Sequence, residues 1–273
     1  MSLPFRLLLD RHCDGATNMA RDEAIAHSVN AGRQPPTLRF YGWTPPAISL
    51  GMSQRIAAVD EARCTAAGVG IVRRSTGGLA ILHTDEFTYS IAMPAGHPIA
   101  EGDVLTSYRR ISEAIMDGLR RLGVREVQAN KVAKEDKATG PVCFEAPSDY
   151  EVVGWAPTPD GPPLRKLVGS AQWRRLDGVL QHGSLPLHGD IGRICAFLRD
   201  APEPARVRRH AATLQEALGR ATSWDEVAAA WRLAFAAVLD IDFTPGELTD
   251  DELARTDELL RTKYAADAWT RRK

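Results

Sequence analysis

The stretch RRSTGGLAILHTDEFTYSI, residues 73–91, places an arginine pair and a double glycine before two apolar runs. With the apolar VGIVRR that leads into it, this stretch predicts sheet strands flanking a glycine turn. Gly77 and Gly78 allow positive φ and a close approach of the backbone to a ligand. Arg73 and Arg74 could hold a carboxylate or a phosphate; the alternative is a hairpin turn beside two solvated arginines. No Gly-Lys-Ser/Thr follows the glycines, which excludes a Walker A loop.

The segments around this stretch predict a sheet covered by helices. Strand patterns are present in PFRLLLD, TLRFYGW and AISLGM, and DYEVVGW, KLVGSAQWRR and VLQHGSLPL later form a β-meander pattern. Helix patterns are present in TNMARDEAIAHSVNAG and in DVLTSYRRISEAIMDGLRRLG, where Asp103 can cap the start and Gly123 can end the helix. We therefore expect an α+β fold with a mixed, largely antiparallel sheet flanked by helices.

The last third of the chain has a different pattern. From about Gly189 it is mostly helical, with possible capping boxes from Ser223 to Glu226 and from Thr249 to Glu252. No internal repeat and no low-complexity linker separates this part from the rest. We expect a single domain over residues 1–273, with helices from about residue 190 packed on the sheet.

The composition restricts the partners that the chain can have. Hydrophobic residues make up 44% and charged residues 25% of the 273 residues, which is typical of a soluble globular protein. The formal net charge of −1 argues against a nucleic-acid-binding surface. The N-terminal MSLPFRLLLDRHCDG lacks the length of a signal-peptide core or a membrane span. We therefore expect a cytoplasmic protein with no membrane partner.

One of the four cysteines is a candidate nucleophile. Cys13, Cys64, Cys143 and Cys195 are widely scattered and form no CxxC pattern, so neither a zinc site nor a disulfide framework is expected. A cysteine is usually a small buried hydrophobe. Cys143, however, follows the polar stretch KVAKEDKATG closely, and this stretch is unsuited to a core. A reactive thiol at Cys143 is the sharper interpretation.

A nucleophilic cysteine needs a partner that favours its thiolate, because a free thiol with a pKa of ~8.5 is mostly protonated at neutral pH. Lys166 is one candidate, since an ammonium nearby would stabilise the thiolate; the alternative for a single lysine is a solvated surface charge. His83 and His182 are candidate bases, or core histidines satisfied by backbone groups.

The chain resembles the biotin/lipoate protein ligase superfamily in a set of motifs that occur in one order: NMARDEAI, PTLRFYGWTPPAISLG, RRSTGGLAILHTDEFTYSI, PVCFEAPSDYEV, KLVGSAQWRR and LQHGSLPL. LLRTKYAADAW extends the resemblance towards the C-terminus. Within this superfamily, the cysteine in CFEAPSDYEV is similar to that of the octanoyltransferase branch of LipM type. The resemblance implies the catalytic-domain fold of the superfamily. It also implies transfer of octanoyl groups from acyl carrier protein to a lysine of a lipoyl domain, such as that of glycine cleavage protein H.

The resemblance also implies roles for individual residues. Cys143 would receive the acyl group, and Lys166 would be its catalytic partner. The acyl pocket would be lined by Arg73, Arg74, Thr76, Gly77, Gly78, His83, Gly169, Ser170, Gln172, His182 and Gly183. No metal, ATP or organic cofactor would be required. The alternatives are an ATP-dependent lipoate-protein ligase, whose arginines and Lys166 would hold a lipoyl-adenylate, and a noncatalytic acyl-binding module.

Overall fold

The computed structural model describes residues 2–130, 141–142, 144, 151–158, 161–175 and 178–273. Its strands are β1 (Leu3–Cys13), β2 (Thr37–Trp43), β3 (Ala47–Leu50), β4 (Gly70–Arg73), β5 (Ile81–His83), β6 (Glu86–Pro94), β7 (Gln128–Asn130), β8 (Glu151–Trp155), β9 (Leu164–Arg174), β10 (Gly178–Pro186) and β11 (Ile241–Pro245). Its helices are α1 (Gly15–Asn30), α2 (Glu61–Ala66), α3 (Val104–Leu122), α4 (Pro204–His210), α5 (Leu214–Leu218), α6 (Trp224–Leu239), α7 (Asp250–Leu259) and α8 (Asp267–Thr270). Short 3-10 segments span Ile56–Ala58 and Ile191–Phe197, and a π-helical turn spans Leu260–Tyr264.

The larger of the two sheets has the strand order β11-β1-β2-β6-β10-β9-β8-β7. Strand β1 runs parallel to both β11 and β2. Every other neighbouring pair in this sheet is antiparallel. The expected mixed, largely antiparallel sheet is confirmed, and β8, β9 and β10 form the expected meander.

The smaller sheet corrects the prediction for the glycine turn. Its order is β4-β3-β5, with β3 parallel to β4 and antiparallel to β5. Strands β4 and β5 are thus separated by β3, and the hairpin interpretation is wrong. Solvated arginines are excluded as well, because Arg73 and Arg74 are only 0% and 3% exposed. Buried guanidinium groups need protein acceptors, and the loop between β4 and β5 supplies some of them in place of a tight turn.

Helices cover both faces of the larger sheet. Leu7 of β1 and Ile91 of β6 share a core with side chains of α3 and α6. Leu8 and Ala92, the next residues on the same strands, pack with Ile25 of α1. Successive residues of a strand point to opposite faces, so α1 lies on the face opposite α3 and α6. None of the described helices is long and apolar enough to cross a membrane.

Helix α3 begins and ends where the sequence predicts. The Asp103 carboxylate accepts a hydrogen bond of 2.7 Å from the Thr106 backbone N–H at the start of the helix. After the last turn, Gly123 adopts a φ of 100°, in the left-handed region that glycine tolerates. Between these ends, Ile111, Ile115 and Leu119 recur at helical spacing and are completely buried.

The C-terminal part is mostly helical, as expected, but it also contributes a strand that the sequence pattern did not predict. The capping box from Thr249 to Glu252 forms at the start of α7, and Ser223 caps α6. Strand β11 pairs in parallel with β1, in the register Leu3 with Ile241. Its residues thereby extend the larger sheet at the edge next to β1.

Candidate active site

A partly open pocket has walls from both sheets and from α1, and we call it the central pocket. Its lining includes seven of the predicted residues: Arg74, Gly78, His83, Gly169, Ser170, His182 and Gly183. The apolar side chains of Met19, Trp43 and Ile81 also line it. These three were not predicted from the sequence. The central pocket therefore combines a polar glycine-rich wall with an apolar one.

The wall of the central pocket contains glycines at positions where another residue would clash or be strained. Gly183 faces Ser170 in the β9–β10 pair, and a Cβ atom on Gly183 would lie 2.3 Å from Ser170 Oγ and 2.5 Å from Tyr89 Cε1. Gly78 has a φ of 92°, which disfavours any other residue. A Cβ atom on Gly77 would meet no described atom within 4 Å. Gly183 and Gly78 are therefore structurally required as glycines, whereas Gly77 has space for a methyl group.

Arg74 shapes the loop that carries these glycines, residues 74–80 between β4 and β5, which we call the glycine loop. Its Nη1 donates to the Ser49 carbonyl at 2.7 Å and to Ser49 Oγ at 2.6 Å. Its Nη2 donates to the carbonyls of Gly77 and Leu79 at 2.9 and 3.0 Å. These acceptors belong to the loop itself and to β3. Arg74 thus lines the central pocket while its N–H groups hold the loop in shape.

Arg73 lies behind the loop and outside the pocket lining. Its Nη1 donates to the carbonyls of Gly51 and Gln54 at 2.9 and 2.5 Å. Its Nη2 donates to the Thr270 carbonyl at 2.8 Å. The guanidinium group that the sequence offered as an anion ligand is therefore placed among backbone carbonyls, where it joins β4 to the end of the chain.

His182 belongs to a buried chain of hydrogen bonds. Its Nδ1 lies 3.4 Å from Asp22 Oδ2, and its Nε2 lies 2.7 Å from Thr76 Oγ1. Burial lowers the pKa of His182, against the opposing effect of Asp22, so the neutral ring prevails at neutral pH. Because the Asp22 carboxylate can only accept, Nδ1 carries the proton and Nε2 accepts from Thr76. His182 therefore fixes the position of Thr76.

Asp22 is held ionised by the residues around it. Burial alone would raise the pKa of Asp22, but Arg39 and the hydrogen bonds from His182 and Ser90 outweigh it and hold the pKa below its ordinary value. Arg39 Nη1 lies 2.7 Å from Asp22 Oδ1. The Tyr41 hydroxyl donates to Asp22 Oδ2 at 2.9 Å.

His83 forms a second carboxylate–histidine–hydroxyl chain. Its Nδ1 lies 2.5 Å from Glu86 Oε1, and its Nε2 lies 2.7 Å from Ser49 Oγ, which also accepts from Arg74. The imidazole ring stacks on Trp43 with 3.7 Å between ring centroids. Both predicted histidines are therefore buried and partnered, and each orients a hydroxyl group that contacts the glycine loop.

Three predicted residues lie next to the central pocket without lining it. Thr76 contacts His182, and the Gly77 carbonyl accepts from Arg74. Gln172 donates to Gln181 Oε1 at 3.0 Å, away from the pocket wall. The structure places them in support of the wall residues.

Lys166 is buried on β9, so a solvated surface lysine is excluded. Its Nζ lies 2.5 Å from Glu151 Oε1 on β8, and the two side chains are 4% and 10% exposed. The same Nζ lies 5.5 Å from the ring centroid of Phe144. A carboxylate at ion-pair distance favours the charged form of an amine. Lys166 and Glu151 therefore form a buried ion pair, three residues before Gly169 of the central pocket.

Cys143 lies outside the described residues, as do residues 131–140 before it. Its two chain neighbours are described. Val142 forms a parallel bridge with Ala80, just after the glycine loop. Phe144 is 5% exposed and contacts Lys166. Val142 thus lies beside Ala80, and Phe144 lies beside Lys166.

Three carboxylates of the site were not predicted from the sequence. Asp22, Glu86 and Glu151 are 2%, 4% and 9% exposed, yet each occurs in a polar run that is typical of a surface. Each of these carboxylates pairs with a histidine, arginine or lysine that is itself buried. A single sequence does not show which residues are buried, so these pairs could not be predicted. Within the described part of the chain, no group of three or more His, Cys, Asp or Glu side chains is arranged to hold a metal ion.

Similarity to known proteins extends over most of the chain. The family model of the lipoyl protein ligase A/B catalytic domain matches residues 14–236. Octanoyltransferase LipM of Moorella thermoacetica is 42% identical over 277 residues, with 98% of each chain covered. Octanoyltransferase LipM of Symbiobacterium thermophilum is 39% identical over 287 residues, with 100% of each chain covered.

Solved structures give the same fold. The putative lipoate protein ligase Ta0514 from T. acidophilum, with bound lipoic acid, superposes with a TM-score of 0.81 at 25% identity. The superposition covers 99% of this chain and 100% of that one. The similarity thus extends over the whole of both chains.

Proposed function

The chain belongs to the lipoyl protein ligase A/B catalytic domain family and is an acyltransferase, and we propose that it passes octanoyl groups through a thioester on Cys143. The donor is octanoyl-acyl carrier protein. The acceptor is a lysine of a lipoyl domain, such as that of glycine cleavage protein H. The near-complete coverage of two octanoyltransferases supports the reaction class.

The observation that carries the proposal is the position of Lys166. Its buried Nζ lies 5.5 Å from the ring centroid of Phe144, the residue that follows Cys143. Chain connectivity therefore links the proposed nucleophile to the buried Lys166 amine, which pairs with Glu151.

In the first half of the reaction, the Cys143 thiolate attacks the carbonyl carbon of the donor thioester. A C–S bond forms to Cys143 while the C–S bond to the carrier breaks, and the departing thiolate takes up a proton. The new thioester has an energy similar to that of the old one, so the acyl group remains reactive. The Lys166 ammonium stabilises the attacking thiolate, because opposite charges nearby favour the ionised form.

In the second half, the neutral amine of the acceptor lysine attacks the thioester carbon on Cys143. An amide C–N bond forms, the C–S bond breaks, Cys143 departs as a thiolate, and the nitrogen gives its extra proton to solvent water. Backbone N–H groups of Gly77 and Gly78 have no acceptor among the described residues. They are suited to stabilise the negative oxygen of each tetrahedral intermediate.

The central pocket is the site for the octanoyl tail. Met19, Trp43 and Ile81 offer apolar surface to it, and burial of the tail contributes ~0.8 kcal/mol per methylene. Two acyl chains that differ by one methylene should therefore differ in affinity by only a few fold. Chain-length selection by the pocket is therefore coarse.

The proposal is tested by intact-mass analysis after mixing the protein with octanoyl-acyl carrier protein. Wild type should gain the mass of one octanoyl group, and Cys143→Ala should gain none. Addition of a lipoyl domain should then discharge the wild-type adduct and transfer its mass to the domain. Cys13→Ala is the matched control, because Cys13 is the most exposed of the described cysteines, and it should behave as wild type. An adduct that survives in Cys143→Ala refutes the cysteine intermediate.

The runner-up is an ATP-dependent lipoate-protein ligase, favoured by the superposition on the lipoic-acid-bound ligase. In such an enzyme the arginines and Lys166 would hold the adenylate. The Nη groups of Arg73 and Arg74 instead donate to carbonyl and hydroxyl oxygens of the protein, and Lys166 pairs with Glu151. The ligase predicts pyrophosphate release that requires ATP with free octanoate or lipoate and that persists in Cys143→Ala. The octanoyltransferase predicts that neither occurs.

A further inference from the structure

The last residues of the chain lie behind the glycine loop. Residues 260–273, which we call the C-terminal segment, comprise the π-helical turn Leu260–Tyr264, helix α8 and five further residues. The final carbonyl, on Lys273, accepts a hydrogen bond of 2.9 Å from the Ile56 N–H. The C-terminal segment is thus attached at its end rather than frayed.

The first contact of the C-terminal segment with the loop is at Arg73. Trp269 Nε1 donates to the Arg73 carbonyl at 2.9 Å. In the reverse direction, Arg73 Nη2 donates to the Thr270 carbonyl at 2.8 Å. Both groups of Arg73, its backbone and its side chain, are therefore held by α8.

The second contact is at Ser75. Its Oγ lies 2.7 Å from the Tyr264 hydroxyl and 3.0 Å from Lys263 Nζ. Glu23 Oε2 accepts from all three groups, at 2.9 Å from Ser75, 2.5 Å from Tyr264 and 2.5 Å from Lys263. Burial would raise the pKa of Glu23, but these donors outweigh it and hold the pKa below its ordinary value. The cluster is therefore charged and directional at neutral pH.

The order of contacts along residues 73–76 explains why these bonds matter for the pocket. Arg73 and Ser75 contact the C-terminal segment. Arg74 lines the central pocket, and Thr76 binds His182. Because the four residues are consecutive, a displacement of Arg73 or Ser75 is passed through the backbone to Arg74 and Thr76.

We propose that Tyr264 and Trp269 are positioning residues for acyl transfer, which set the shape of the pocket wall by holding Ser75 and Arg73 from behind. This inference rests on the proposed octanoyl transfer. Neither residue lines the pocket. Their effect is exerted through the loop, on the fit between Gly78 and the acyl chain.

The test uses Tyr264→Phe and Trp269→Phe, which remove one donor each and keep an aromatic ring. The quantity measured is the ratio of kcat/KM for octanoyl- and decanoyl-acyl carrier protein. Loss of protein by unfolding lowers both values equally and leaves the ratio unchanged, so only a change in the pocket moves it. Each variant should change the ratio by about threefold to tenfold, which is the value of one hydrogen bond.

The matched control is Arg271→Gln. Arg271 lies in the same segment but pairs with Glu61 and Asp267, away from the loop. Its ratio should stay within about twofold of wild type. A ratio within that range for both Tyr264→Phe and Trp269→Phe overturns the proposal.

Hydrogen exchange of the peptide that covers residues 73–80 separates this inference from the proposed function. The amides of this peptide should exchange faster in both aromatic variants than in wild type and Arg271→Gln, because the loop has lost a contact. If wild type transfers no octanoyl group, the proposed function fails, and the exchange rates alone decide the positioning role. Unchanged exchange in both variants overturns it.

Discussion

Replacement of Lys166 by methionine removes a charge that we assign to catalysis and that also belongs to a buried ion pair. The Lys166 and Glu151 side chains are 4% and 10% exposed, with 2.5 Å between Nζ and Oε1. Removal of one partner of a buried pair costs about 3–5 kcal/mol of the free energy of unfolding. At roughly 2–4 °C per kcal/mol for a chain of this size, Lys166→Met should lower the melting temperature by roughly 6–20 °C.

The double variant Lys166→Met/Glu151→Gln separates stability from chemistry. The glutamine keeps the shape of the glutamate but not its charge, so no carboxylate is left without its ammonium partner. We expect the double variant to recover most of the lost melting temperature. Its rate of acylation should nevertheless stay about 100-fold or more below wild type, as in the single variant, because the thiolate still has no ammonium beside it.

Calorimetry gives the melting temperatures, and intact-mass analysis of a single turnover with octanoyl-acyl carrier protein gives the acylation rates. Glu151→Gln alone completes the double-mutant cycle, which compares wild type, the two single variants and the double variant. It keeps the proposed catalytic group, so it should acylate faster than either variant that lacks Lys166. If the double variant recovers its acylation rate together with its stability, Lys166 acts only through the fold, and the reasoning is refuted.

Three further outcomes follow from the structure. Gly183→Ala should lower kcat/KM for the octanoyl donor about tenfold or more, because the new methyl group enters the pocket wall. Gly77→Ala has open space at its Cβ, so its kcat/KM should stay within about twofold of wild type. An equal loss of kcat/KM in both variants would contradict the pocket assignment. Asp22→Asn should cost about 2–3 kcal/mol in urea unfolding near neutral pH, because the buried Arg39 loses one charged partner. Since the pKa of Asp22 is lowered on folding, this difference is present above about pH 4 and should shrink as the pH falls through the folded pKa; a difference that grows as the pH falls would contradict it. Burial raises the pKa of Cys64 to about 11, so at about pH 8 roughly one Cys64 thiol in a thousand is ionised. Iodoacetamide should therefore leave Cys64 unmodified in the folded protein. Peptide mass mapping that finds Cys64 alkylated would contradict its burial.

Elements whose stability is local could be predicted from the sequence. Helix α3 carries its own periodicity, its cap at Asp103 and its stop at Gly123, so neighbouring residues specify it completely. Strand β11 is different, because it has five residues, ends in Pro245 and is stabilised by its pairing with β1. A contact between residues 3 and 241 has no trace in either segment taken alone.

The site follows the same division. Glycines and histidines of the central pocket were predicted because they belong to compact motifs. The hydrogen-bond partners of the Arg73 side chain could not be predicted. Because β3 lies between β4 and β5, the residues that resemble a hairpin form a loop instead, and the C-terminal segment holds this loop at Arg73. Asp22 and Glu86 were missed for a related reason: only the folded chain shows that a histidine lies beside each of them.

The placement of charge distinguishes the two candidate reactions at this fold. An adenylate carries a phosphate, which needs guanidinium or ammonium donors directed into the pocket. Here Arg73 and Arg74 direct donors to oxygens of the protein, and His182 is kept neutral by burial. A neutral acyl tail needs no such donors and gains from the apolar wall. In the proposed transfer, the Lys166 amine near Phe144 stabilises the Cys143 thiolate, so one arrangement of charges would serve both the pocket and the proposed nucleophile.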